Sequence, residues 1–269
     1  MLYLNHSSKF YLSYCYLQHV SIKLLIKFYF AWRDQVVKQS YIVIGASSGI
    51  GAAIAEDLIQ NDFRVIALNR KEPTLNSANL EFYRCDMTDL SSDLPDVEGP
   101  IEGLVYLPGS INLKPFESIS EKDFREDWEI NFFGAMRAIR KYLPNLKAAQ
   151  NSSIVLMSTV AVSQGMSYHT SISAAKGAIE GATRSLAAEF APKIRVNAVA
   201  PSLTETPLAK NLIGDENRKK HAAARHPLQR IGNPIDAANA ALFLLSKKSS
   251  WVTGQVIHVD GGFSTIKII

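Results

Sequence analysis

The strongest constraint on this chain is a short apolar run that ends in glycine. Tyr41–Gly45 has the length and composition of a strand buried on both faces. The turn Gly45-Ala46-Ser47-Ser48-Gly49-Ile50-Gly51 follows, and Ile50–Ile59 then carries apolar residues at helical spacing. The alternation continues downstream. Arg64–Leu68, Leu80–Arg84, Leu104–Leu107, Ser153–Met157, Ile194–Val199 and Val256–Val259 read as strands, and Phe124–Leu146, Ser173–Phe190 and Ala237–Leu245 read as helices. Strands alternating with helices predict an α/β fold: a single doubly wound parallel sheet with helices on both faces and ligands at the carboxyl ends of its strands.

The glycine spacing gives that fold a ligand. A strand, a glycine-rich turn and a helix start make the Rossmann-type setting for a dinucleotide. Gly45 allows the sharp exit from the strand, Gly49 lets backbone approach a pyrophosphate, and Gly51 lets the helix pack closely on the sheet. Free N–H groups at the helix start, around Ile50, face the phosphates, and Ser47 and Ser48 add hydroxyl donors. The second strand ends in Asn69-Arg70-Lys71, with no carboxylate to receive a ribose 2′-hydroxyl. Arg70 can clamp a 2′-phosphate in bidentate fashion, so NADP(H) is favoured, with NAD(H) as the alternative.

Composition bounds the rest. The 269 residues are 47% hydrophobic and 20% charged, which suits one globular domain, assigned to residues 38–269. The whole net charge of +4 sits in residues 1–38, where five basic residues face the single acid Asp34. The remainder balances, so no nucleic-acid partner is expected. Cys15 and Cys85 alone make no disulfide framework, and the six histidines show no ligand spacing, so no metal is expected. Residues 1–37 read as an N-terminal extension upstream of the true start, with Val36 or Val37 as initiator; an interfacial amphipathic helix is the alternative. His19, Lys23 and Lys27 interrupt the apolar run, so no membrane span is expected, and no secretory signal is legible. The expected location is the cytoplasm.

Further motifs fall in a fixed order. They are Asp86-Met87 after the third strand, Asn131-Phe-Phe-Gly134, Ser173-Ala-Ala-Lys176-Gly177-Ala178, Arg195–Pro201 and Thr253–Gly262. With the glycine turn they resemble the short-chain dehydrogenase/reductase family over about residues 39–265, in the subgroup that includes 3-oxoacyl-acyl-carrier-protein reductases. The resemblance implies that Asp86 and Met87 contact adenine, that Gly109 and Pro201 line the cofactor, and that Asn131 holds a catalytic water. It implies that Lys176 holds the nicotinamide ribose. It also implies a homodimer or homotetramer.

The catalytic pattern departs from that family. The residue four before Lys176, where the resemblance places a proton-donating tyrosine, is Ile172. Thr159, with Ser158 beside it, stands at the serine position. Tyr168 shares a face with Ile172 if the helix extends back one turn, and His169 sits at the spacing of enoyl reductase tyrosines, so either can stand in. The candidate catalytic set is therefore Asn131, Thr159, Tyr168 and Lys176. Ser110–Leu113, Val160–Tyr168 and Ser202–Ala224 are expected to face substrate, the last as a lid. Leu203, Leu208, Leu212 and Ile213 suggest an apolar small molecule or simply pack the lid down, and no basic cluster for a coenzyme A or carrier phosphate is evident. The reading is an oxidoreductase acting on a small carbonyl/hydroxyl or enoyl substrate. A catalytically retired cofactor-binding sensor or partner protein is the alternative, and a dehydratase or isomerase on the same fold a third.

Overall fold

The computed structural model describes residues 38–91 and 93–267; the expected N-terminal extension lies outside the described residues. Seven parallel strands form one sheet: β1 (Ser40–Ile44), β2 (Arg64–Asn69), β3 (Leu80–Arg84), β4 (Gly103–Tyr106), β5 (Ser152–Met157), β6 (Ile194–Pro201) and β7 (Val256–Val259). Their order is β3-β2-β1-β4-β5-β6-β7. The order reverses beside β1, between β1 and β4, which opens a crevice at their carboxyl ends. The helices are α1 (Gly49–Gln60), α2 (Glu121–Trp128), α3 (Gly134–Ala148), α4 (Thr170–Phe190), α5 (Lys210–Ile213), α6 (Glu216–Ala224) and α7 (Pro234–Leu245).

Strand periodicity sorts the core into two layers. Ile42, Ile44, Ile66, Leu104 and Leu156 face one side and meet Ile139 and Tyr142 of α3 and Ile179 of α4. Val43, Val65, Ala67, Val105 and Val155 face the other and meet Ile54 and Leu58 of α1 and Ala241 and Leu244 of α7. Successive residues point to opposite faces, so near-continuous apolar strands are needed to supply both layers. Each fully buried aliphatic side chain contributes roughly 1.5–3 kcal/mol.

Two local departures from the expected elements shape the site. The helix expected over Phe124–Leu146 is divided between α2 and α3 by a π-helical turn, Glu129–Phe133. Asn131 Nδ2 donates to the Asp127 carbonyl at 2.8 Å, occupying an acceptor the regular helix would use, and the backbone widens there. The second departure corrects the idea that α4 extends back over Tyr168. The helix begins at Thr170 with His169 as its cap, and Tyr168 lies in the left-handed region at φ +68°. Tyr168 and Ile172 therefore share no helical face.

Candidate active site

The carboxyl ends of β1, β2, β4, β5 and β6 open into one cavity of about 870 Å³. Its cofactor end is built from the glycine turn. Gly45 and Gly49 hold φ +92° and +57°, where a side chain is strained. A Cβ on Gly51 would lie 2.1 Å from the Gly45 carbonyl oxygen, so only glycine lets α1 start this close to β1. Asn69 at the end of β2 fixes the turn: its Oδ1 accepts from the N–H of Gly45 at 2.9 Å and of Ala46 at 2.5 Å. Its Nδ2 is buried without a partner among the described residues. The start of α1 is open. Ser48 caps it without a side-chain bond, and no acidic residue occupies the first turn. Free N–H groups and a positive helix end, in a cradle that any Cβ would fill, fit a dinucleotide pyrophosphate.

The other predicted cofactor residues meet the same cavity: Ser47, Ile50, Arg70, Asp86, Met87, Gly109 and Pro201 all line it. Asp86 Oδ1 accepts from the Thr88 N–H at 2.9 Å and hydroxyl at 2.8 Å. Those bonds, the N–H first, and more distantly the Arg70 guanidinium hold its carboxyl below the usual range. The Tyr106 hydroxyl donates to the Ile130 carbonyl at 2.6 Å and ties β4 to the π turn.

At the far end stands Lys176, only 7% exposed on α4. Its Nζ donates to the Met157 carbonyl at 2.8 Å, leaving two N–H groups. Burial pushes its pKa down to about 8, against the opposing pull of the Asp127 carboxylate. Asp127 is fully buried. Its Oδ1 accepts from Ser110 Oγ at 2.5 Å, and Ser110 Oγ accepts from Asn131 Nδ2 at 2.9 Å. Asp127 Oδ2 and Asn131 Oδ1 have no partner among the described residues. A Cβ on Gly109 would lie 2.9 Å from Asn131 Oδ1 and 3.6 Å from Lys176 Nζ, so the two groups flank one small space. That unpaired acceptor beside an ammonium fits the water-holding role expected of Asn131. Removing the buried negative charge has a direct consequence. Asp127→Asn is expected to lower the Lys176 pKa further, and an unshifted Lys176 titration in the variant would show that Asp127 does not act on Lys176.

The hydroxyl beside this lysine can be assigned. Ser158 Oγ donates to Glu180 Oε1 at 2.7 Å and is committed to α4. Thr159 lines the cavity, its Oγ1 accepts a long 3.3 Å bond from the Ala161 N–H, and its own proton has no acceptor among the described residues. Ile172 also lines the cavity and is aliphatic. Tyr168 does not line it and is 57% exposed. The structure therefore brings Asn131, Thr159 and Lys176 together and leaves Tyr168 outside. His169 reaches the lining, with Nδ1 held 2.7 Å from the Ser167 carbonyl.

The lid supplies Leu203, Leu208 and Leu212 to the cavity, whereas Ile213 packs into a small separate core with Ala209 and Ile231. Ser202 Oγ bonds His226 Nε2 at 2.8 Å and links the loop after β6 to the end of the lid. Sequence reasoning placed Ser110 only within a substrate-facing segment, and it missed Asp127, His226 and a basic face on α6. Only the last had a legible signal, the helical spacing of Arg218, His221 and Arg225. Among the described residues there is no metal-ligand cluster and no helix long and apolar enough to cross a membrane.

A dinucleotide cradle joined to a buried ammonium and a free hydroxyl defines a nicotinamide-type oxidoreductase fold. The family model described as enoyl-(acyl carrier protein) reductase matches residues 45–264. The chain is 33% identical over 237 residues to 3-oxoacyl-[acyl-carrier-protein] reductase FabG of Thermotoga maritima, covering 82% of this chain and 96% of that one. Among solved structures it is similar to ligand-free Thermoplasma acidophilum aldohexose dehydrogenase, with TM-score 0.77, 31% identity and coverage of 86% and 96% of the two chains. It is also similar to ElxO with NADP bound, with TM-score 0.74, 26% identity and coverage of 84% and 99%. The chain belongs to the short-chain dehydrogenase/reductase family, and it is an oxidoreductase of that family.

Proposed function

We propose that the protein is an NADP(H)-dependent oxidoreductase moving hydride to or from a small carbonyl/hydroxyl or enoyl substrate, in the cytoplasm and as a homodimer or homotetramer. The observation that carries the reading is the buried Lys176 ammonium opening into the cavity whose other end is the glycine cradle. Arg70 and Lys71 line the adenosine end, where β2 ends without a carboxylate, which supports the 2′-phosphate form. Arg70→Ala is expected to weaken NADPH binding roughly 10- to 100-fold, the value of a charge-assisted bond, and to leave NADH binding nearly unchanged. Equal losses for both cofactors, in titrations of tryptophan fluorescence, would remove the preference.

When bound, the nicotinamide supplies or accepts the hydride. The chain's own residues must hold the substrate oxygen and move one proton. Thr159 Oγ1 donates its free hydrogen to that oxygen. In carbonyl reduction the carbon gains hydride and the oxygen gains a proton. With Ile172 one turn before the lysine, that proton comes from a Lys176 N–H; the amine left behind regains it from water entering the open cavity. The Met157 carbonyl fixes the ammonium in place, and Asn131 Oδ1 borders the same small space.

The test follows NADPH consumption over ketones, 3-oxoacyl thioesters and enoyl thioesters. Turnover with at least one class is expected, unaffected by Tyr168→Phe and by His169→Gln. NADPH binding with no turnover on any class would overturn the reading. Loss of turnover in His169→Gln, with Lys176→Met still active, would move the proton donor to His169.

A further inference from the structure

The cofactor cradle and the proton-donating corner leave one charged feature of the cavity without a task. Helix α6 turns Arg218, His221, Ala222 and, at its C-cap, Arg225 toward the cavity. These positions recur at three- and four-residue intervals, so they form a single helix face. The neighbouring Lys219 lies off that face and pairs with Glu205 at 2.6 Å. Neither Arg218 nor Arg225 forms an ion pair among the described residues. Arg225 is steadied instead by the Phe263 ring, 5.2 Å from its guanidinium carbon. His221 Nδ1 is held 2.8 Å from the Asn217 carbonyl, which leaves Nε2 for another partner. Among the described residues, Asp86, at the adenine end, is the one carboxylate residue lining the cavity. The start of α1 and Arg70 would meet the phosphates of a bound dinucleotide. The α6 cations are left to serve a different group.

The same cavity is also lined by the apolar residues Ile111, Leu113, Met166 and Leu212. That arrangement describes a ligand with three parts: a reacting carbonyl near Lys176, an apolar middle, and an oxyanion under the lid. We infer that Arg218, His221 and Arg225 form an anion subsite on the lid, and that the substrate is a carbonyl compound carrying a carboxylate or phosphate beyond an apolar segment. The inference rests on the oxidoreductase reading for the identity of the reacting end, but not for the subsite itself. Paired guanidinium groups suit planar carboxylate and phosphate oxygens, and a ligand bridging lid and sheet would hold the lid down over the reaction.

The experiment measures binding rather than turnover, so the two readings fail separately. The full chain saturated with NADP+ is titrated calorimetrically with 7-oxooctanoate, with its neutral methyl ester, and with octanoyl-coenzyme A. The acid or the coenzyme A thioester is expected to bind at least about tenfold tighter than the ester, with the gap shrinking as salt rises. The stronger of the two anions identifies carboxylate or phosphate as the natural group. The double variant Arg218→Gln/Arg225→Gln should bind all three ligands alike while keeping NADPH affinity within about twofold, since exposed residues on a lid face cost the fold little. An ester that binds as well as both anions, or no binding by any of the three, overturns the inference. So does a double variant that loses NADPH affinity, which would assign the arginines to the cofactor.

Discussion

Gly51→Ala should leave a protein that no longer binds a nicotinamide dinucleotide. The added Cβ would lie 2.1 Å from the Gly45 carbonyl oxygen and 2.8 Å from its carbonyl carbon. Both are backbone atoms of the turn, so no side chain can rotate away. Relief requires α1 to move off β1, and that movement dismantles the cradle in two ways. It withdraws the helix-start N–H groups from the phosphates, and it strains the pair of bonds that Asn69 Oδ1 accepts from Gly45 and Ala46. The expected result is at least about a hundredfold loss of NADPH affinity together with a destabilisation of about 3 kcal/mol, read by titration and by urea unfolding without cofactor. Gly49→Ala is the contrast. Its Cβ would meet the Thr206 Cγ2 at 3.1 Å, a side chain that can shift, so its cost is mainly that of the left-handed φ, about 1–2 kcal/mol. Equal effects from the two substitutions would refute the packing argument.

Lys176→Met is expected to separate activity from stability. Methionine keeps the length and the buried volume and removes the ammonium. Turnover should fall roughly a hundred- to ten-thousand-fold, the usual contribution of a positioned proton donor. The cofactor-free protein should become more stable at neutral pH, because the ammonium is desolvated. Its pKa is lowered from 10.5 to about 8 by burial, with the Asp127 carboxylate pulling the other way. Between those two values the unfolded chain holds a proton that the folded chain has released. Parent stability therefore rises with pH through that window, and the methionine variant loses the slope. Reduction by the parent should decline as pH rises past about 8, as the ammonium loses its proton. A parent profile flat across that range would rule out Lys176 as the donor. So would a methionine variant that retained turnover.

Much of the architecture was legible because it follows from local periodicity. The inner strands sit where apolar runs predict them, since a strand buried on both faces has to be apolar nearly throughout, while the edge strands β3 and β7 are only partly buried. The cofactor end was legible for a similar reason. A glycine turn acts through backbone, and its demands are written in consecutive residues. Thr159 was singled out by its spacing to Lys176, but what Ser158 does beside it was not legible. Adjacent hydroxyls look alike in sequence, and only the Glu180 carboxylate across from β5 shows which one is committed. Tyr168 misled for a related reason. Its spacing suits a helix face, but its left-handed φ ends the helix before that face can form.

The sequence by itself determined a doubly wound sheet, a dinucleotide turn, an aliphatic Ile172 four residues before Lys176, and an Arg70 just after β2. Each is a matter of residue type at short range. Tertiary structure alone decided how the proton-moving corner is composed and what the lid presents. Asp127 and Ser110 lie 17 residues apart, and their 2.5 Å bond exists only because the turn after β4 meets α2 beside the π turn. Arg218 and Arg225 become a binding face only where the lid folds back over the cavity. Contacts between distant segments depend on how layers pack, and no spacing within one segment encodes that.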